Sequence, residues 1–329
     1  MRIFAFEYVT AGGARECAAP PSLIAEGAMM LRALACDLSR VAGVEVVVAR
    51  DPAIALGDLA GDIRTIDPAN LWQAWRELIA ECDAVWPTAP ETGGILEEVT
   101  ALALRHGRPV LNSRRDALAI ARSKHATAAH LARAGVAVVA TARAGQPPAS
   151  SGHGWVVKPD DGAGAVDTLF LSDRAALAHW RREHPRANCV VQEFVPGPAL
   201  SVSALMQEGA CWLLSCNVQH VDCDRGVFAY RGSTVGGAEA RRPALAPLAA
   251  RVAAALPGLW GHVGIDLIDG PTGPVVIDVN PRLTTSYVGL ADSIGLNPAM
   301  LVLALREQPL GTLIRPLAPR PIDVFVPGA

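Results

Sequence analysis

The chain has 329 residues, 51% hydrophobic and 19% charged, with a formal net charge of −3. That is material for about two domains with sizeable cores, which excludes global disorder. No excess of positive charge is present to hold nucleic acid or an anionic membrane.

In chain order, residues 2–9 read as an apolar strand, TAGGA as a loop, and 23–39 as a helix capped by Ser22. A strand over 44–49 follows, then a helix over 67–82 with Leu71, Trp75, Leu78 and Ile79 on one face. A strand over 83–89, a helix over 94–105 and a strand over 109–113 continue the alternation. This rhythm predicts a parallel sheet covered by helices on both faces, a Rossmann-like layer. Neither G-x-G-x-x-G after the first strand nor G-x-x-x-x-G-K-[ST] occurs, which counts against a nicotinamide oxidoreductase or a P-loop enzyme.

The pattern then changes. Residues 114–134 predict one helix closed by Gly135. The segment 135–141 is extended, 144–154 a turn-rich connector, 155–159 a strand ended by proline and 160–168 a loop. A helix over 174–182 precedes a strand over 188–195, broken at Pro196-Gly197-Pro198. Beyond it come antiparallel strands over 201–206 and 211–221, a helix over 244–256 and a hairpin over 262–281.

No run of about 18 apolar residues is free of charge or proline, so no membrane-spanning helix is expected. The opening MRIFAFEYVT lacks the sections of a signal peptide, and the chain is expected in the cytoplasm. Seven cysteines (Cys17, Cys36, Cys82, Cys189, Cys211, Cys216 and Cys223) form no C-x-x-C pair and are expected as reduced thiols. The histidines show no zinc-binding spacing.

Of the 29 lysines and arginines only Lys124 and Lys158 are lysine. Where arginine otherwise fills every basic position, a retained lysine marks either chance or a need for a compact charge on a slender stem. The hairpin carries the strongest spacing argument. If its strands pair symmetrically about Thr272, Asp266 faces Asp278 and Gly264 faces Asn280. Val263, Ile265, Leu267, Ile277 and Val279 then share the apolar face. Facing like charges destabilise a sheet, and a bound cation removes the conflict. Carboxylate and amide oxygens in this number suit Mg²⁺. A solvated hairpin, or a slip of one residue, is the alternative.

The loop Asp160-Asp161-Gly162-Ala163-Gly164-Ala165 is small enough for backbone N–H groups to approach phosphate oxygens, although a plain turn has the same composition. Arg282 follows Asn280 by two residues and, if the strand continues, projects from the metal face. There its guanidinium stabilises charge on a transferred phosphoryl group or an oxyanion; a surface arginine is the alternative. Residues 192–195 offer either an unpaired strand edge to a purine rim or a simple hinge.

In this order, these pieces resemble the ATP-grasp carboxylate-amine ligases over essentially the whole chain, down to the closing D-x-N-P-R. The resemblance implies an α/β chain, α+β in its C-terminal part, with the ATP-grasp fold. Its parts would be a Rossmann-like domain over 1–112, a lid subdomain over 113–196 and a metal-binding subdomain over 197–329. It implies that Lys124 and Lys158 hold ATP phosphates and that Gly162 and Gly164 belong to the closing loop. Gln192, the Glu193 carbonyl and the Val195 N–H would contact adenine. Asp266, Asp278 and Asn280 would bind Mg²⁺ or Mn²⁺, and Arg282 would sit near an acyl phosphate, with Lys158, as a catalytic group. Two positions depart: Ala199 replaces a ribose-holding Glu of many members, and D-x-N replaces E-x-N, shortening the reach of Asp278.

FEYVTAGG (6–13), VWPTAPETGGIL (85–96) and VLNSRRDALAIARSKH (110–125) are most similar to the tyramine-glutamate ligase group of methanofuran biosynthesis. This implies amide formation between a carboxylate, expected to be glutamate, and a tyramine- or tyrosine-like amine. Glu7, Glu91, Arg231 and Ser286 are the substrate-side candidates. The expected partners are small molecules, with no nucleic acid and no membrane, and a homodimer stays open. The alternatives are a ligase for another amino-acid pair and a non-catalytic ATP sensor or scaffold, motivated by Ala199 and the short Asp278.

Overall fold

The computed structural model describes residues 1–16, 19–149, 152–185 and 187–328, so Cys17 lies outside the described residues. The other six cysteines are free thiols. No single helix among the described residues is long and apolar enough to cross a membrane.

The first third builds a parallel sheet of β1 (Arg2–Glu7), β2 (Glu45–Arg50), β3 (Asp62–Thr65) and β4 (Ala84–Thr88) in the order β3-β2-β1-β4. Helices α1 (Pro21–Ser39), α2 (Leu71–Glu81) and α3 (Ile95–Arg105) pack against it. α1 begins before the predicted Ser22 cap: Pro21 occupies its first position, where a fixed φ and a missing N–H cost nothing. β3 had no sequence signal because DIRT is a mostly exposed, polar edge. Residues 109–113 form no full strand and touch the sheet by the single bridge Val85–Val110.

β1 stops at Glu7 rather than residue 9. The chain turns at Val9–Gly13, and the Glu7 carboxylate accepts the N–H groups of Val9 (3.1 Å) and Thr10 (2.8 Å) and the Thr10 hydroxyl (2.7 Å).

The predicted helix over 114–134 is two helices, α4 (Arg115–Ala121) and α5 (Lys124–Arg133). Ser123 between them is extended and accepts the Ala126 N–H on its hydroxyl oxygen, an N-cap. Asp160 completes the cap. It accepts from the Ser123 hydroxyl and the His125 N–H, and its carbonyl takes the Lys124 N–H. Lys124 therefore opens a helix rather than sitting within one.

The second sheet has ten strands: β5 (Thr141–Arg143), β6 (Trp155–Pro159), β7 (Leu169–Leu171), β8 (Cys189–Glu193), β9 (Ala199–Gln207), β10 (Ala210–Asp224), β11 (Val227–Val235), β12 (Gly261–Gly270), β13 (Gly273–Asn280) and β14 (Ile322–Phe325). Their order is β13-β12-β9-β10-β11-β7-β6-β8-β5, with β14 beside β11. The halves on either side of the β11–β7 step join through one pair, Val227 with Leu169, flanked by bonds between Phe170 and Gly226 (2.7 Å) and Phe228 and Thr168 (3.0 Å). α6 (Arg174–Glu183) covers the smaller half, where Trp155, Val157, Leu177, Trp180 and Val191 form a core of their own. α7 (Arg242–Ala255) covers the larger half. Leu283, Tyr287, Leu290 and Val302 join the core of the first sheet, which brings the segment after β13 against α1.

The hairpin pairs Asp266 with Asp278 and Gly264 with Asn280, as symmetry about Thr272 requires. The turn itself is tighter, with Gly270 opposite Gly273, and a bulge between Asp266 and Leu267 restores the register. The inserted residue is Ile277. This corrects its assignment to the apolar face: Val276 takes the core place beside Val263, Ile265, Leu267 and Val279, and Ile277 faces the cavity described below.

Candidate active site

A cavity of about 540 Å³ lies between the smaller half of the second sheet, the β9–β13 face and α1. One end of it is the hairpin. Asp266 accepts the Gln219 amide on one oxygen (2.8 Å) and the Asn280 amide on the other (2.9 Å), which leaves the Asn280 carbonyl oxygen for another partner. Asp278 accepts the Val279 N–H (3.0 Å) and lies 3.3 Å from the Lys124 ammonium. Enclosure by protein, and then the facing Asp278, raise the Asp266 carboxyl to about 6, against the pull of Asn280, Lys158 and Gln219. A divalent cation fits this oxygen set and would offset the repulsion between the two facing carboxylates, the lesser of the two causes that raise Asp266.

The two lysines come together above the hairpin. Lys124 donates to the Gly162 carbonyl at 2.6 Å. Lys158, on β6, is buried, and no described residue lies within hydrogen-bond or ion-pair distance of its amine. Burial lowers its pKa to about 8, with Lys124 adding to the shift and Asp278 and Asp266 opposing it. A buried, unpaired ammonium is costly to keep charged. A polyphosphate supplies the missing counter-charge, so the residues fit a nucleotide.

The loop after β6 is pinned at its start and folded over the cavity. Besides Asp160 at the α5 cap, Asp161 reaches the first sheet: its carboxylate accepts the Gly93 N–H (3.0 Å) and its carbonyl the Thr92 hydroxyl (2.8 Å). Gly164 has φ +67, and Ala165 and Asp167 also have positive φ, a conformation uncommon for residues with a side chain. The loop composition gave no sign of the anchoring by Asp160 and Asp161.

At the other end lie Gln192, Glu193 and Val195. β8 is paired on both sides through Glu193, with β5 and β6, and Phe194 donates to the Gly154 carbonyl, so the unpaired edge expected over 192–195 begins only at Val195. The Gln192 amide is engaged with the Thr141 hydroxyl (3.0 Å) and the Ile277 carbonyl (3.4 Å). Gly197 has φ +151, and a Cβ there would press on the Asp269 carbonyl; the break needs glycine. Ala199 lines the wall, with no carboxylate at that position.

Arg282 lies beyond the end of β13 yet still borders the cavity. Its Nε and Nη2 each donate to Glu91 at 2.9 Å, its Nη1 donates to the Leu283 carbonyl (3.0 Å), and its own carbonyl meets His262 Nδ1 at 3.1 Å. Burial holds the His262 pKa down at about 4, so the ring is neutral near pH 7.

Of the substrate-side candidates, Ser286 lines the cavity, 3.4 Å from the Ser233 hydroxyl. Glu91 reaches it only through Arg282. Glu7 is sealed behind α1 by its own turn, and Arg231 pairs with Asp222 (2.8 Å) on β11 at 41% exposure; neither lines the cavity. The cavity also gathers Glu26, Gln219, Tyr230 and Thr285, which no sequence pattern singled out.

Two family models match: an ATP-grasp domain over residues 121–286 and a pre ATP-grasp 3 domain over 44–118. The tyramine–L-glutamate ligase of Methanocaldococcus fervens is 24% identical over 310 residues, 93% of this chain and 95% of that protein. That of Methanocaldococcus jannaschii is 28% identical over 219 residues, 67% and 60% of the two chains. Among solved structures, an ATP-grasp superfamily protein from Archaeoglobus fulgidus superposes with a TM-score of 0.72 at 24% identity, covering 92% of this chain and 88% of that one. N5-carboxyaminoimidazole synthetase from Staphylococcus aureus, complexed with ADP, gives 0.71 at 12% identity, covering 97% and 80%. With its fold and its larger part matched in this way, the chain belongs to the ATP-grasp family.

Proposed function

We propose that the chain joins the carboxylate of glutamate to a tyramine- or tyrosine-like amine through an acyl phosphate, in a methanofuran-type biosynthesis. One observation carries the ligase chemistry: the buried, unpartnered Lys158 stands over the Asp266–Asp278 pair, in one cavity that runs from the break at Gly197 to Arg282. The names of the two Methanocaldococcus relatives support the choice of substrates.

In this reading the Glu193 carbonyl and the Val195 N–H receive the adenine, with Gln192 holding β5 and Ile277 in place beside them. Gly162 and Gly164 close over the phosphates. Lys124 and Lys158 spread the charge that builds as a carboxylate oxygen attacks the γ-phosphorus and ADP leaves. Asp266, Asp278 and Asn280 hold Mg²⁺ or Mn²⁺, which neutralises phosphate charge when bound. Arg282 steadies the acyl phosphate, and amine attack then expels phosphate. Within the unit over 113–196, the half-sheet of β5–β8 with α6, which has its own core, would move about the break at residues 196–198 against the units over 1–112 and 197–329.

The test is incubation with ATP, Mg²⁺, glutamate and either tyramine or tyrosine, reading ADP release and the mass of the amide. Release that requires both substrates is expected. Nucleotide binding without turnover across a panel of amines and amino acids would replace this reading with the sensor or scaffold one.

A further inference from the structure

We propose that Glu26 is the group that receives the amine substrate, holding its ammonium and accepting a proton from it; this rests on the ligase reading above. Three carboxylates outside the cation set lie in the electrostatic reach of Arg282: Glu7, Glu91 and Glu26. Glu7 has both oxygens occupied by the turn that follows it, and it packs against Gly27, where a Cβ would come within 2.6 Å of it. Glu91 is neutralised by the Arg282 fork. Glu26 alone of the three lines the cavity.

Its geometry is that of a built site. Glu26 is 7% exposed, and the Thr285 hydroxyl donates to Oε2 at 2.7 Å, which fixes the carboxylate. No described donor reaches Oε1. Gly164 of the folded loop lies over that oxygen, with room for a Cβ at 3.4 Å. Leu23 and Met30 line the cavity from the same helix, so on this helix face the anion sits between apolar side chains, with Tyr230 also lining the cavity. That is the complement of a primary ammonium carried on an apolar or aromatic body. The carboxylate substrate, being an anion, is repelled here.

Burial raises the Glu26 carboxyl above its usual range, with Thr285 and Arg282 pulling it back, and the added basicity suits a proton acceptor. In the step, Glu26 takes one proton from the ammonium. The freed nitrogen lone pair forms the bond to the acyl carbon, and the carbon–oxygen bond to phosphate breaks with its electron pair on the phosphate. A second proton leaves the nitrogen with that phosphate, and the amide keeps the third.

The experiment compares two nucleophiles on the full chain with ATP, Mg²⁺ and glutamate. Hydroxylamine is mostly uncharged at neutral pH and traps acyl phosphates without needing a base. In Glu26→Gln, hydroxamate formation is expected to stay within about threefold of the unaltered chain, with the KM for glutamate unchanged. Amide formation with tyramine is expected to fall about a hundredfold, with a raised KM for the amine. Thr285→Val keeps the charge but removes the bond that aims it, and should show the same selective loss on a smaller scale. Equal loss of both products in a folded Glu26→Gln chain, or full amide formation in either variant, overturns the assignment of Glu26. Failure of the unaltered chain to form hydroxamate overturns the ligase reading and this inference together.

Discussion

Arg282 and Glu91, 191 residues apart, meet through two parallel bonds of 2.9 Å that tie the segment after the hairpin to the turn after β4. Both side chains are at most a tenth exposed. Removing one partner of such a pair leaves a buried charge without compensation, so Glu91→Gln should lower stability by about 3 kcal/mol. The double variant Glu91→Gln with Arg282→Met should recover most of that loss in denaturant unfolding. A double variant no more stable than the single one would show that the pair is not coupled.

Lys158 is one of only two lysines in a chain that otherwise uses arginine. Lys158→Arg keeps the charge but puts a planar fork into a slot shaped for a slender stem. The chain should fold normally by circular dichroism, while ADP release falls about a hundredfold. Activity close to that of the unaltered chain would mean that charge alone is needed there.

Asp266 predicts a coupling of pH, cation and stability. Its folded pKa, about 6, is above the ordinary value, so the stability it contributes is present below about 4 and lost as pH rises through 6. In cation-free protein the Asp266 term should therefore fall by up to about 3 kcal/mol across that window, read as the difference in unfolding free energy between the unaltered chain and Asp266→Asn. Thermal stabilisation by Mg²⁺ should grow as pH passes 6 and disappear in Asp266→Asn.

His262 works in the opposite sense. With a folded pKa lowered to about 4, its contribution is present above 6.5 and lost as pH falls through 4. Because Asp266 acts in the opposite direction over nearly the same window, the His262 term, up to about 3 kcal/mol between pH 7 and 4, should be read as the difference in unfolding free energy between the unaltered chain and His262→Gln. The same variant frees the Arg282 carbonyl from its partner, so turnover should fall even at pH 8, where the ring carries no charge.

What was legible in the sequence was whatever a short stretch of chain decides for itself. The facing of Asp266 and Asp278 could be read because alternation in a hairpin is local, and it survived an error in the turn because the bulge at Ile277 supplies the missing residue. The break at Ser123 had only a serine N-cap within an otherwise helical run to announce it, since the residue that completes the cap, Asp160, lies 37 positions away. Gln219 and Glu26 belong to unremarkable stretches of strand and helix and acquire meaning only from Asp266 and Thr285. β3 is a short, polar, mostly exposed edge, and β14, although apolar at three of its positions, has only four residues, too few to show alternation.

The turn that holds Arg282 through Glu91 also holds Asp161 through its next two residues, Thr92 and Gly93. Three consecutive residues thus serve as one mooring for the cavity's arginine and for the loop folded over it, so the two share a fixed point although they belong to distant parts of the chain.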